Sequence, residues 1–227
     1  MKQFVKQLII KNKLLNRIYV NLNHFFYSIN YLFYFKKANP CIDYEKIDKV
    51  MFIAHPDDEI VSMGNFLFNN LDRLLVVCMT NGGNKTRLKE FSSLMNDLNI
   101  QYKILNFKDG LDFKWNEKKI LKKIESILDH KKDWKMVLSH NREGDYGHFQ
   151  HKEVNRLVRS VYRGENLYVP VEKGTLICNK YQLTIEEAEY KLRIFKRYYP
   201  SQQHIVDLYR DYFMYESIRN ERENCDD

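Results

Sequence analysis

Val50-Met51-Phe52-Ile53-Ala54-His55-Pro56-Asp57-Asp58-Glu59 runs from an unbroken apolar stretch straight into one imidazole and three carboxylates. The apolar half reads as a short strand over 50–54. Pro56 fixes its own φ and holds His55 extended, so the chain leaves that strand at a forced turn. Like charges crowd a strand end poorly unless something positive neutralises them, and imidazole with carboxylate is a ligand set suited to a divalent metal. The competing reading is a helix N-terminus whose Asp and Glu complement the helix dipole.

Working outward, further strands are predicted at 74–80, 103–107 and 135–139, with another pair at 167–171 and 176–183. Helical periods fall at 59–70, 87–98, 117–130, 151–163 and 185–198. Short β-rich runs alternating with helices predict an α/β fold, a Rossmann-like open, mostly parallel sheet with helices on both faces. Ligands in such sheets bind beyond the carboxyl ends of the strands. Three polar clusters take such positions: 55–59, Thr80-Asn81-Gly82-Gly83, and 140–151.

The chain has 227 residues, enough for one α/β domain with a core, and at 14% aromatic and 30% charged it is not a disordered composition. The formal charge of +7 comes from residues 1–40, which hold seven Lys/Arg and no Asp/Glu, and the rest is balanced. That distribution argues against a nucleic-acid partner, which calls for a basic face on the folded domain. Within this basic extension Leu15, Ile18, Leu22, Phe25, Ile29 and Leu32 recur at alternating spacings of three and four, one stripe of an amphipathic helix. Asn21, Asn23, His24, Ser28 and Asn30 make it a poor membrane span. It is expected to meet a membrane surface peripherally, to contact another subunit, or to pack on its own domain. The division expected is therefore 1–40 as extension and 41–227 as catalytic domain. From Gln203 to the end the pattern reads as one packing helix. Cys41, Cys78, Cys178 and Cys225 show no C-x-x-C spacing and are read as reduced and not metal-binding. With no cleavable signal in the sequence, the expected compartment is the cytoplasm, at a membrane if the arm binds one.

The second cluster, His140-Asn141-Arg142-Glu143-Gly144-Asp145-Tyr146-Gly147-His148-Phe149-Gln150-His151, holds three of the seven histidines. A helix starting near Phe149 places His151 in its first turn and His148 just before it, so both can face one site. There is no phosphate-binding Gly loop, dinucleotide fingerprint or G-x-S-x-G elbow in the sequence.

These two motifs, in this order, resemble the PIG-L/LmbE-like family of deacetylases, over roughly residues 46–203. Thr80-Asn81-Gly82-Gly83, Arg87 with Glu90, Asp109-Gly110 and Ser201-Gln202 add weaker matches. The resemblance implies a mononuclear zinc hydrolase, or one using another divalent transition metal such as Fe2+, Co2+ or Mn2+, that removes the N-acetyl group from an amino sugar. By the same comparison His55, Asp58 and His151 hold the metal, and Asp57 is the general base. His148 faces the carbonyl oxygen, and Arg87, with Asn81 and Tyr146, binds substrate. Phe149-Gln150 departs from the proline and aspartate that the family more often shows, which bears on the support of the histidines. Two other classes stay open: a magnesium-dependent phosphoryl hydrolase using Asp57, Asp58 and Glu59, and an inactive carbohydrate-binding scaffold.

Overall fold

The computed structural model describes residues 13–110, 115–176 and 179–222. Six strands form one sheet: β1 (Lys49–Ile53), β2 (Leu74–Thr80), β3 (Gln101–Phe107), β4 (Met136–Leu138), β5 (Leu167–Pro170) and β6 (Ile218–Asn220). Their order is β3-β2-β1-β4-β5-β6, all parallel except β6, which runs antiparallel to β5. The order reverses between β1 and β4, so a crevice opens beyond the carboxyl ends of those two strands. The two polar motifs follow these strands, and this brings residues 55–59 and 140–151 together.

Alternate residues of β1 enter opposite cores: Met51 and Ile53 pack on one face of the sheet, Val50 and Phe52 on the other. Burial on both faces explains why the strands are nearly all apolar. Of the long helices, α1 (Lys13–Ala38), α2 (Lys85–Asp97) and α5 (Ile185–Tyr198) contribute to the first core, and α3 (Glu117–Leu128) and α4 (Phe149–Val161) cover the second. Local chemistry starts them: Asn84 caps α2, Asn116 caps α3, and Thr184 with Glu187 makes a capping box on α5.

Three expectations change. The helical period at 59–70 is two short helices, Asp58–Val61 and Gly64–Asn69, because the chain turns at Met63 to bring Gly64 against the buried Lys191. A Cβ at Gly64 would sit 3.0 Å from Lys191 Cε. The strand expected at 176–183 is absent among the described residues of that range. Tyr181 lies in a single 3-10 turn and Gln182 makes one bridge to Tyr215, because β6 occupies the edge of β5 instead. Cys178 and Cys225 lie outside the described residues. The C-terminal segment is not one helix: it breaks at Tyr209 and Tyr215, which lets Tyr212 and Phe213 enter the first core before β6 begins. Of the alternatives for the stripe of α1, packing on its own domain drops out: the stripe points away from the domain, and Tyr31, Tyr34 and Ala38 make the inward contacts. No helix among the described residues is long and apolar enough to cross a membrane.

Candidate metal centre

The turn after β1 sends its three carboxylates in three directions. Asp57 adopts a left-handed backbone with φ 104°, a conformation that costs a non-glycine residue about 1–3 kcal/mol and that concentrates at functional sites. The turn is closed by its own acids: the His55 amide donates to Asp58 Oδ2 at 2.7 Å and the Asp57 amide to Glu59 Oε2 at 3.1 Å. Asp58 faces the histidines, Asp57 pairs with Arg87, and Glu59 is fully buried against the hydroxyl of Tyr199. Carboxylates that diverge in this way do not make the shared oxygen cage that a magnesium site built on all three requires.

Asp58 instead completes a triangle with two nitrogens. His55 Nδ1 lies 3.3 Å from Asp58 Oδ2, His151 Nε2 lies 3.2 Å from Asp58 Oδ1, and the two nitrogens are 3.3 Å apart. A tetrahedral metal with bonds of about 2.0–2.2 Å has ligand–ligand edges of about 3.3–3.6 Å; the two nitrogens stand at that spacing, and each stands close to it from one of the two Asp58 oxygens. The outer nitrogen of each histidine is occupied. His55 Nε2 donates to Gln150 Oε1 at 2.7 Å, and Gln150 Nε2 donates to the Lys108 carbonyl at 2.7 Å, which sets the direction of the amide. His151 Nδ1 donates to Asp145 Oδ2 at 3.0 Å. With the outer nitrogen of each ring held in this way, the inward nitrogen is the one a metal would take in place of a proton.

His140 stacks on His151 with ring centres 3.8 Å apart and stands 3.5 Å from Asp58 Oδ2. Its Nε2 accepts the Ala54 amide at 2.9 Å and its Nδ1 donates to Asp145 Oδ2 at 2.6 Å, so neither nitrogen is left for a ligand. Asp145 Oδ2 also accepts from Ser62 Oγ at 2.9 Å. One buried carboxylate thus orients both rings.

The field at the triangle favours positive charge. Burial alone would lower the pKa of His151, yet Asp58 and Asp145 raise it to about 9. Against the same burial, Asp109 and Asp58 lift His55 well above the ordinary imidazole range. Burial, opposed by Arg87, lifts Asp57 to about 6. Burial lifts Glu59 to about 8, which keeps it protonated beside Tyr199 at neutral pH. Burial and the facing His55 lower His148 to about 3. His148 is also the N-cap of α4: its Nδ1 accepts the Gln150 amide at 3.2 Å, so the neutral ring carries its proton on Nε2, at the cleft.

That cleft has a volume of about 400 Å³, within the ordinary range for small-molecule sites. His55, Asp57, Asn81, Arg87, Asp109, Tyr146 and His148 all line it. The Tyr146 hydroxyl lies 3.5 Å from His151 Nε2, and its ring stacks on Tyr209 at 3.8 Å. Asn81 donates to Asp109 Oδ2 at 2.9 Å. Arg87 is 7% exposed, and its guanidinium is held by Asp57 and Glu90, each at 3.1 Å, and by the Pro56 carbonyl. Its hydrogen-bonding groups face protein before they face a ligand.

The sequence profile of the PIG-L family, described as GlcNAc-PI de-N-acetylase, matches residues 50–162. The chain belongs to the PIG-L family. It is 37% identical over 140 residues to the uncharacterized protein L374 of Acanthamoeba polyphaga mimivirus, across 54% of this chain and 61% of that relative's length. Among solved structures it resembles a deacetylase of the teicoplanin biosynthesis pathway, with a TM-score of 0.54 and 14% identity over 75% of this chain and 96% of that one. A triple mutant of a deacetylase of that pathway gives a TM-score of 0.55 at 14% identity, over 78% of this chain and 99% of that one. At such identity the likeness speaks for the fold.

Within this PIG-L domain, sequence reasoning gave no role to Asp145 or His140 and no contacts to Glu90, Ser201 or Gln150. Asp145 and His140 were visible inside the second motif but carried no assignment, since nothing in spacing tells an orienting carboxylate from a surface one. The Glu90 contact with Ser201, at 2.8 Å from both the amide and the hydroxyl, joins segments more than a hundred residues apart. Gln150, the departure from the usual family pattern, supplies the acceptor that holds His55.

Proposed function

We propose that this PIG-L domain is a metal-dependent N-deacetylase that hydrolyses the acetamide of an N-acetylated amino sugar, releasing acetate and the free amine, with His55, Asp58 and His151 as ligands. The observation that carries the reading is the triangle of inward-facing donor atoms at tetrahedral spacing, with Asp57 beside it on the wall of an open cleft. The sugar class rests on the family's description, and zinc is favoured by the two-imidazole, one-carboxylate donor set. When bound, the metal supplies a Lewis acid that polarises the amide carbonyl and acidifies water.

The side chains do the rest. Asp57, lifted toward neutrality by burial and held in place by Arg87, accepts the proton that the attacking water loses. His148, neutral and with Nε2–H at the cleft, donates a hydrogen bond to the oxygen that gains negative charge, and the Tyr146 hydroxyl offers a second donor near His151. The proton held by Asp57 then goes to the departing amine as the C–N bond breaks. Arg87 acts chiefly by positioning Asp57, while Asn81 and Asp109 present an amide and a carboxylate to sugar hydroxyls.

The test is metal content of the purified chain together with acetate release from N-acetylglucosamine derivatives, with and without chelator. About one transition metal per chain and chelator-sensitive acetate release are expected. A folded protein that binds no metal and releases no acetate would leave the binding-scaffold reading in its place.

A further inference from the structure

The outward side of α1 is an unbroken apolar surface. Leu22, Phe25, Phe26, Ile29, Leu32 and Phe33 are 40–79% exposed. At about 100° per residue they fall within an arc of about 120°, and the apolar side from Ile18 to Phe33 is about 24 Å long. No charged residue interrupts it between Ile18 and Phe35, and the exposed Lys36 and Lys37 close its C-terminal end. Large exposed patches of this kind mark interaction surfaces.

This helix is firmly seated. Gly82 and Gly83 let it approach: a Cβ at Gly83 would lie 1.7 Å from the Tyr27 carbonyl oxygen, and one at Gly82 would lie 2.6 Å from Tyr31 Cε2. Asn84 Nδ2 donates to the Tyr27 hydroxyl at 3.2 Å, and Lys108 Nζ donates to Asn21 Oδ1 at 2.6 Å. Asn84 and Asp109, the neighbour of Lys108, line the cleft. The apolar surface is thus tied rigidly to the rim of the candidate active site.

We propose that the outward face of α1 is a membrane-docking surface whose partner is an anionic lipid bilayer, entered to the depth of an interfacial helix and not crossed. Charge selects this occupant. The charged side chains described on this helix, Arg17, Lys36 and Lys37, are all basic, so two copies packed through it would bring like charges together, whereas anionic headgroups complement them. Lys36 and Lys37 can reach headgroups while the phenyl and aliphatic side chains enter the acyl boundary. Docking in this way holds the cleft rim about one helix diameter, roughly 10 Å, from the lipid surface.

Flotation of the full chain with vesicles tests this, using phosphatidylcholine alone and phosphatidylcholine mixed with phosphatidylserine. The wild-type chain is expected to float with the anionic vesicles and much less with the neutral ones. Phe25→Glu with Leu32→Glu, both at solvent-exposed positions, is expected to cut the bound fraction about tenfold or more at unchanged Tm. Lys36→Glu with Lys37→Glu is expected to remove the preference for anionic lipid. Failure to float, flotation that the Phe25/Leu32 variant does not reduce, or a lipid-free dimer that this variant converts to monomer would each overturn the proposal, the last by giving the face to a second copy.

Discussion

Replacing Asp145 by Asn changes one atom in the core of the site and tests the proposed role of histidine tautomers in holding a metal. The carboxylate is 1% exposed, and Oδ2 accepts from His140 Nδ1, His151 Nδ1 and Ser62 Oγ at 2.6–3.0 Å, while Oδ1 accepts the Asn141 amide at 3.2 Å. An asparagine has only one acceptor oxygen. If that oxygen stays with the histidines, the amide NH2 meets the Asn141 N–H. If it turns to Asn141, the NH2 meets two imidazole N–H groups. In the second arrangement His151 is relieved by moving its proton to Nε2, the nitrogen that faces Asp58, and it then ceases to be a ligand.

Losing an orienting partner of a metal-bound histidine weakens metal binding about 10–100-fold, or about 1.4–2.7 kcal/mol. Breaking a buried charged network costs about 3–5 kcal/mol of folding stability in addition. Competition against a chromophoric chelator reads the first quantity and thermal unfolding of the metal-free protein the second. Asp145→Asn with metal affinity within a factor of two of wild type would refute the assignment of Asp145 as the group that orients His151, whatever happens to Tm.

Three further outcomes follow from other contacts. Asp57→Asn should leave metal content intact while lowering acetate release about 10²–10⁴-fold, measured by steady-state kinetics with metal analysis on the same sample, and near-normal turnover would remove Asp57 as the base. Gln150→Leu deletes the acceptor of His55 Nε2 and should weaken metal binding about 10–100-fold in the same competition assay, whereas Gln150→Glu should retain it. Lys191→Met leaves Glu216 buried with only the Asn65 and Phe66 amides, and should cost about 3–5 kcal/mol in denaturant unfolding with metal affinity unchanged, since the pair lies away from the triangle.

How much was legible in the sequence varies with the kind of information each segment holds. The strand ending at residue 54 and the acid cluster after it announced themselves through hydropathy and charge, and β4 with its histidine motif did the same. Their convergence followed from the rule for open parallel sheets. The direction of α1 was not legible, because its inward side is built on tyrosines whose hydroxyls bond Asn84 and Asn39, and a hydropathy stripe favours leucine and phenylalanine over such residues. Nor was β6. Its residues Ile218, Arg219 and Asn220 carry no strand pattern, and they pair because β5 offers an open edge. The family resemblance implied a substrate-binding role for Arg87, and only the contacts of its guanidinium with Asp57, Glu90 and Pro56 show its structural engagement.

Gln150 shows how a departure from a family pattern can be absorbed without losing the arrangement it served. An aspartate beside a metal-binding histidine does two things: it fixes the ring tautomer and it adds negative charge near the cation. Here the two are divided. The amide oxygen of Gln150 fixes His55, and its own direction is secured by the Lys108 carbonyl on the same segment that carries Asp109. Asp109 supplies the charge from 3.5 Å away on the same nitrogen, and it is itself held by Asn81. Orientation at 2.7 Å depends on a lone pair and not on a net charge, whereas the field at a cation held there would fall off slowly enough for a carboxylate one step further out to serve. The exchange therefore leaves the ligand triangle intact, while placing on the 108–109 turn a responsibility that a single side chain would otherwise carry.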